Sequence, residues 1–343
     1  MARKITIRYP ESLTLANLPT PVERLAPLEE FPFLPKIYIK RDDQTGCALS
    51  GNKVRKLEFC LAEAKRDGAN TIITCGGVQS NHARATAVAA ARLGFGSLLV
   101  LRGDEPEESD GNIFLNRLVG AEIQFITEEE WDRVDEIMAN VADEIAPSGR
   151  RAYIVPEGAS FPPGVFGYIR AVQEIAEAEE KLGIQFDSIV IPVGSGGTYA
   201  GLAFGTTIYG LKARIMGINV LETPEYFKDR IARLSEDFIR EYEGALEPTG
   251  GLQPLDVEKI EIAGGYEGPA YAVPSPEVLD LIRLFARRRG ILLDPTYTGK
   301  AMFGLIGEAE KGRWGREVNV LFIHTGGIYS LFPWREELGH DND

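Results

Sequence analysis

Residues 50–58 read SGNKVRKLE, and the fold turns on how Lys53 is read within them. Ser50, Gly51 and Asn52 are turn formers, so Lys53 opens a helix and can point into a cleft. Leu57, Cys60, Leu61 and Ala64 then recur at helical spacing, with Gly68 as a stop. Taken alone, a lysine in a charged run with Arg55 and Lys56 is more often simply solvated. Four segments downstream change that reading: CGGVQSNHARA at 75–85, GSGGT at 194–198, DPTYTGK at 294–300 and HTGG at 324–327. A lysine, a polar turn and a glycine-rich loop after a strand are what a pyridoxal phosphate site needs. The aldehyde takes an amine, and the phosphate takes backbone N–H donors.

The surrounding text predicts an α/β protein. TIITC at 71–75, LLVL at 98–101, EIQFI at 122–126 and AYIV at 152–155 read as strands. Ala-rich 83–93 and a segment around 128–146 read as helices between them, and GDEPEESDGN at 103–112 reads as an acidic surface loop. A second series begins at DSIVIPV, 187–193, and continues through ARIMGINV at 213–220 and a charged helix near 225–243. Helices near 276–289 and 299–311 follow, then a late buried strand, VNVLFIHT, at 318–325. Alternation of this kind favours parallel sheets covered by helices. An early strand, IYIK at 37–40, can pack on either series.

Composition narrows the function. The chain has 343 residues, 44% of them hydrophobic, and a net charge of −14, which argues against a nucleic-acid binder. No apolar run approaches the ~18 residues that span a membrane. MARKITIRYPESL lacks the apolar stretch of a secretory signal. Cys47, Cys60 and Cys75 form neither an even set nor a metal-ligand spacing, so a reducing, cytoplasmic setting is expected. Three histidines, His82, His324 and His340, leave no metal centre to predict.

Each candidate group has two readings. GSGGT can surround a phosphate at a helix start, or can be a tight strand-to-helix turn. It is neither a Walker loop nor a dinucleotide fingerprint. Gln79, Ser80 and Asn81 follow a strand, at the end where open α/β sheets bind ligands; Ser and Asn are also favoured helix caps. Asn81 can donate to a phenolate, and Ser80 can bind a carboxylate or relay a proton. His82 is a possible base, although a lone histidine there is more often structural. Tyr271 and Tyr297 lie in turn-rich segments and can donate to a leaving group or steer a carboxylate, but 12 tyrosines occur in the chain.

Together these motifs resemble the D-cysteine desulfhydrase and 1-aminocyclopropane-1-carboxylate deaminase family of fold-type-II pyridoxal-phosphate enzymes. The resemblance runs from LPTPVERL at 18–25 through IKRDD at 39–43 to HTGG at 324–327, in family order. It implies a tryptophan synthase beta-like fold of two open, twisted, mostly parallel sheets flanked by helices. Residues 1–53 and 181–343 would form the large coenzyme-binding domain and 54–180 the small one. Lys53 matches the Schiff-base lysine. Asn81, the loop Gly194, Ser195, Gly196, Gly197 and Thr198, and Thr325 match coenzyme-binding positions. Gln79, Ser80, Asn81, Tyr271 and Tyr297 match the substrate site, with Lys53, Ser80 and Tyr297 as catalytic groups. Family members are usually homodimers.

Two positions separate the branches of this family. Ring-opening deaminases carry a glutamate where this chain has Thr298 and a leucine where it has Thr325; the desulfhydrase-like branch carries threonine at both. A carboxylate beside the pyridine nitrogen would keep it protonated, whereas a hydroxyl supports it weakly. The expected activity is therefore β-elimination from D-cysteine, giving pyruvate, sulfide and ammonia. L-cysteate sulfo-lyase and then cyclopropane-opening deaminase are the alternatives, and an idle coenzyme- or amino-acid-binding protein is the non-enzymatic one. Phe161, Gln44 and Ser50 depart from the usual family residues.

Overall fold

The computed structural model describes residues 5–248 and 250–339, so His340 lies outside it. Along the chain, β1 (Thr6–Ile7), β2 (Val22–Arg24) and β3 (Lys36–Lys40) precede α1 (Lys53–Arg66). A first series follows: β4 (Thr71–Gly77), α2 (Asn81–Leu93), β5 (Gly96–Arg102), α3 (Gly111–Leu118), β6 (Glu122–Ile126), α4 (Val134–Ile145) and β7 (Ala152–Val155). The second comprises α5 (Pro162–Leu182), β8 (Ser188–Val193), α6 (Gly197–Tyr209), β9 (Arg214–Asn219) and α7 (Pro224–Tyr242). It continues with β10 (Leu246–Glu247), β11 (Ile262–Ala263), α8 (Pro276–Arg289), α9 (Thr298–Glu310) and β12 (Asn319–Ile323).

Two larger open sheets result, besides a two-stranded antiparallel pairing of β1 with β10. The four-stranded one runs β6-β5-β4-β7 and is parallel throughout. All seven residues of β4 are buried, because helices cover both faces; this is why TIITC carries no charged residue and reads as a buried strand. The six-stranded sheet runs β11-β9-β8-β12-β3-β2, parallel except at the β2 edge. The β-hairpin-like register puts Val22 opposite Lys40, so IYIK joins the six-stranded sheet beside β12. The expected fold class is the observed one.

Local chemistry explains the helices that bound the site. α2 is alanine-rich, Ser80 caps its start by accepting from the Ala83 N–H at 3.1 Å, and Gly94 ends it at φ 80°. Nothing in the opening residues of α5 signals a helix. Its text opens PPG and contains a second glycine at 167, which disguises 21 helical residues. Proline is well suited to a first helical turn, whose N–H groups lack intrahelical partners anyway. Gly167 is required by contact: a Cβ there would lie 2.6 Å from the Arg55 carbonyl carbon, so α5 and α1 touch backbone to backbone. α5 buries Phe166, Tyr168 and Ile169 in one core with Ile189 and Ile191 of β8 and Phe204 of α6.

The first turn of α1 is anchored by a buried charge cluster. Arg55 donates to Asp42 at 2.8 and 2.9 Å and to Glu174 at 2.7 and 2.9 Å. Lys40 pairs with Glu174 at 2.6 Å, and Tyr168 donates to Asp42 at 2.5 Å. Two cations balance two carboxylates. Burial alone would raise the Asp42 pKa, but Arg55 and Lys40 outweigh it and hold the group at about 2. Arg55 is two residues from Lys53, so this cluster sets where the helix carrying that lysine begins.

Candidate active site

The loops that leave the C-terminal ends of β4, β7, β8 and β12 converge on one cavity. That edge is where open α/β sheets bind ligands. Lys53 projects into it from the start of α1, hydrogen-bonded to Asn52 Oδ1 at 3.2 Å. Its Nζ lies 5.9 Å from the Tyr297 ring centroid. Loss of water lowers its pKa to about 8, against the opposing pull of Glu157 and Asp294. A minority of its amine, far larger than in a free lysine, is therefore neutral and nucleophilic near physiological pH.

Gly194, Ser195, Gly196 and Thr198 line the opposite wall. Gly196 adopts φ 86°, in the left-handed region, and Gly197 begins the 13-residue α6. A Cβ at Gly197 would come within 2.8 Å of Lys56 Nζ and 2.7 Å of Ser160 Oγ. Ser160 Oγ accepts from the Gly197 N–H at 3.2 Å and lies 2.8 Å from Ser195 Oγ. Asn52 Nδ2 donates to Thr198 Oγ1 at 3.1 Å, which ties this loop to the turn before Lys53. Buried Lys56 sits behind the loop and donates to the Gly158 carbonyl at 3.1 Å. Desolvation pushes its pKa well below the usual lysine range.

Ser80 and Asn81 enter the cavity at the N-terminus of α2. Asn81 Oδ1 accepts from Asn112 at 3.0 Å, which leaves its NH2 as the group free to donate into the cavity. Gln79 is not brought there. Its Nε2 donates to the Asp110 carbonyl at 3.0 Å and its Oε1 accepts from the Asn112 N–H at 2.8 Å, so it braces the start of α3. His82 lines the cavity but is buried, contacts Thr74 Oγ1 at 2.8 Å, and has its pKa driven well below the ordinary value by desolvation. That favours a neutral ring and a structural role.

Tyr271 and Tyr297 both reach the cavity, with hydroxyls 3.2 Å apart. Thr325 lines it too. Thr298 does not. Its hydroxyl donates to Asp294 Oδ1 at 2.7 Å and accepts from the Asp294 N–H at 2.7 Å. Asp294 also takes the N–H groups of Thr296, Tyr297 and Thr298, so it caps α9. The Thr298 hydroxyl, expected near a pyridine nitrogen, is committed in this structure to its own helix start.

Residues 13–326 match the family described as "Pyridoxal-phosphate dependent enzyme". The chain belongs to that family. It is 42% identical to a putative 1-aminocyclopropane-1-carboxylate deaminase of Thermotoga maritima, covering 95% of this chain and 99% of that one. It is 40% identical to the mitochondrial bifunctional D-cysteine desulfhydrase/1-aminocyclopropane-1-carboxylate deaminase of Arabidopsis thaliana, over 94% of this chain and 79% of the relative. A D-cysteine desulfhydrase of Yersinia pestis is 37% identical, with 98% and 99% coverage. Among solved structures, a deaminase homologue superposes with a TM-score of 0.85 at 37% identity, over 96% of each chain. The protein is thus a pyridoxal-phosphate-dependent enzyme of the D-cysteine desulfhydrase and cyclopropane-carboxylate deaminase family.

The cavity suits this coenzyme. It offers a desolvated lysine for the aldehyde, a glycine cradle at a helix N-terminus for the phosphate, and the Asn81 amide as a donor to a ring oxygen. The sequence reading missed Asn52, Glu157, Ser160 and Lys56. Asn52 and Glu157 face the cavity, and the other two buttress its phosphate-side loop. Lys56 was legible only as a member of a charged run; nothing in the text showed it to be buried.

Proposed function

We propose that this enzyme is a lyase that eliminates the β-substituent of a small amino acid, D-cysteine first. The observation that carries the reading is the pair Thr298 and Thr325. Thr298 is committed to Asp294, and Thr325 lines the cavity wall, so neither position presents a carboxylate. Curated relatives bear both names, so their names do not choose between the two activities.

The proposed roles follow from chemistry and position. Lys53 holds the coenzyme, which when bound supplies the electron sink for a carbanion at the substrate's α-carbon. The loop 194–198 would hold its phosphate, Asn81 would donate to its phenolic oxygen, and Thr325 would stand at its ring nitrogen. Ser80 and the α2 N-terminus take the substrate carboxylate. Once displaced, the Lys53 amine accepts the α-proton, with Ser80 as its partner. The Cβ–S bond then breaks with its electron pair going to sulfur, and Tyr297, beside Tyr271, protonates the departing thiolate. One water hydrolyses the released enamine, so D-cysteine and water give pyruvate, hydrogen sulfide and ammonia.

The same reading carries a homodimer in a reducing cytoplasm, a setting that suits three unpaired cysteines. It also carries the division into a coenzyme unit of 1–53 and 181–343 and a smaller unit of 54–180. Ketoacid release should be measured with D-cysteine, L-cysteine, L-cysteate and the cyclopropane amino acid. Pyruvate with sulfide from D-cysteine, and little 2-oxobutanoate, is the expected result. The reading fails if the cyclopropane substrate has the highest kcat/KM. The double change Thr298→Glu with Thr325→Leu should depress elimination.

A further inference from the structure

Among the described residues that line the cavity, Glu157 is the only carboxylate and Lys53 the only ammonium or guanidinium. Glu157 follows β7, in a short turn that begins at Pro156, and one of its oxygens pairs with Arg230 of α7 at 3.0 Å. We propose that Glu157 makes the site select by charge, admitting amino acids with an uncharged β-substituent and rejecting those with an anionic one. The inference rests on the lyase reading for its chemistry and refines its substrate class.

A bound coenzyme already brings a phosphate, and an amino acid brings an α-carboxylate. The N-termini of α6 and α2 can each face one of these anions. Lys53 would be bonded to the coenzyme as the amino acid enters, and once displaced its amine would be held for the α-proton. A third anion, such as a sulfonate on Cβ, then finds no cation on the lining, and the carboxylate end of the Glu157–Arg230 pair is the end that faces it.

The nearby cations are spoken for. The Arg230 guanidinium is held by Glu157 and by the Tyr226 hydroxyl at 3.2 Å, and is not on the cavity wall. Arg102 lies 5.0 Å from the Tyr271 ring centroid, also off the wall, and pairs with Glu128 at 3.0 Å. His82 is held neutral by burial. The Glu157–Arg230 pair is neutral overall, but its carboxylate is the nearer end, and at a few ångströms in a partly buried site that difference costs an anion about tenfold in affinity. A thiol or hydroxyl at the same place feels no such charge repulsion.

The test uses the holoenzyme and two ligands of nearly equal shape, D-aspartate and D-asparagine, read as competitive inhibitors and by the change in coenzyme absorbance. D-Asparagine should bind about tenfold or more tightly than D-aspartate. Glu157→Gln should narrow that ratio to near unity, chiefly by improving D-aspartate. In turnover, wild type should prefer D-cysteine over D-cysteate and L-cysteine over L-cysteate, so that stereochemistry is matched in each pair. Equal binding of D-aspartate and D-asparagine by wild type overturns the proposal, as does a ratio that Glu157→Gln leaves in place. If Glu157→Gln does not fold, the wild-type ratio alone decides. If no β-substituted alanine yields pyruvate, the lyase reading falls, and the absorbance titration still judges the charge selection separately.

Discussion

The hydroxyls of Tyr271 and Tyr297 lie 3.2 Å apart, on segments 26 residues distant in sequence. Burial raises both phenols above their ordinary pKa, so both carry protons across the working pH range. Such a pair can donate one proton outward while the second hydroxyl stabilises the first. Tyr297→Phe should lower kcat by about 10²-fold or more, with coenzyme content per chain unchanged. Tyr271→Phe should cost less, and the double variant should fall short of the product of the two effects, because the residues act together. Steady-state kinetics beside coenzyme absorbance measures both; an unchanged kcat/KM in Tyr297→Phe removes that residue from the mechanism.

Lys53→Ala should remove turnover by at least 10²–10⁴-fold, since it deletes both the coenzyme's anchor and the base. Non-covalent coenzyme binding through 194–198 should persist at reduced affinity. In wild type, borohydride reduction and peptide mapping should place the pyridoxyl group on Lys53. A label on Lys56, buried three residues away, would reverse the assignment.

The amine of Lys53 sets a pH dependence with a definite sign. Its folded pKa of about 8 lies below the value of about 10.4 for a free lysine, so folding favours the neutral amine. Coenzyme capture by the apoprotein, which needs that neutral amine, should accelerate as pH rises toward 8 and level off above it. Between about pH 8 and 10.4 the unfolded chain holds more of this proton, so this group's contribution to stability rises with pH through that window. Stopped-flow capture rates from pH 6 to 10 test the first statement; a midpoint near 10 would contradict it.

Ser80 has two separable duties. Its hydroxyl caps α2 by accepting from Ala83 and also faces the cavity. Ser80→Ala should lose ~1 kcal/mol of stability by thermal or urea unfolding, as cap removals do. Ser80→Asp keeps a cap but adds charge at the substrate carboxylate, so it should retain stability and lose kcat/KM. If Ser80→Ala loses stability alone, with kcat/KM intact, the serine is a cap and nothing more.

Much of this protein was determined by sequence alone. Alternation of largely apolar strands with helical spacing pointed to parallel sheets covered by helices, because strands buried on both faces are mostly apolar along their length, and the resemblance to a known family supplied the division into two sheets. Lys53, Ser80, Asn81, Tyr271, Tyr297 and the 194–198 loop were legible as candidates because turns after strands are where open sheets expose backbone and polar groups. Other facts depended on contacts between segments far apart in the chain. α5 was hidden because its prolines and glycines serve a helix start and a close approach to Arg55, which local propensity scores as breakers. Gln79 left the site because Asn112 and Asp110, 33 and 31 residues away, satisfy its amide. Thr298 turned from the cavity because Asp294 offered it two hydrogen bonds at the helix start. Glu157 became a wall of the cavity only when β7 paired with β4 and carried the turn after it to that edge. Charge and polarity can be read along a chain, but which partner satisfies a buried polar group is decided only when distant segments meet.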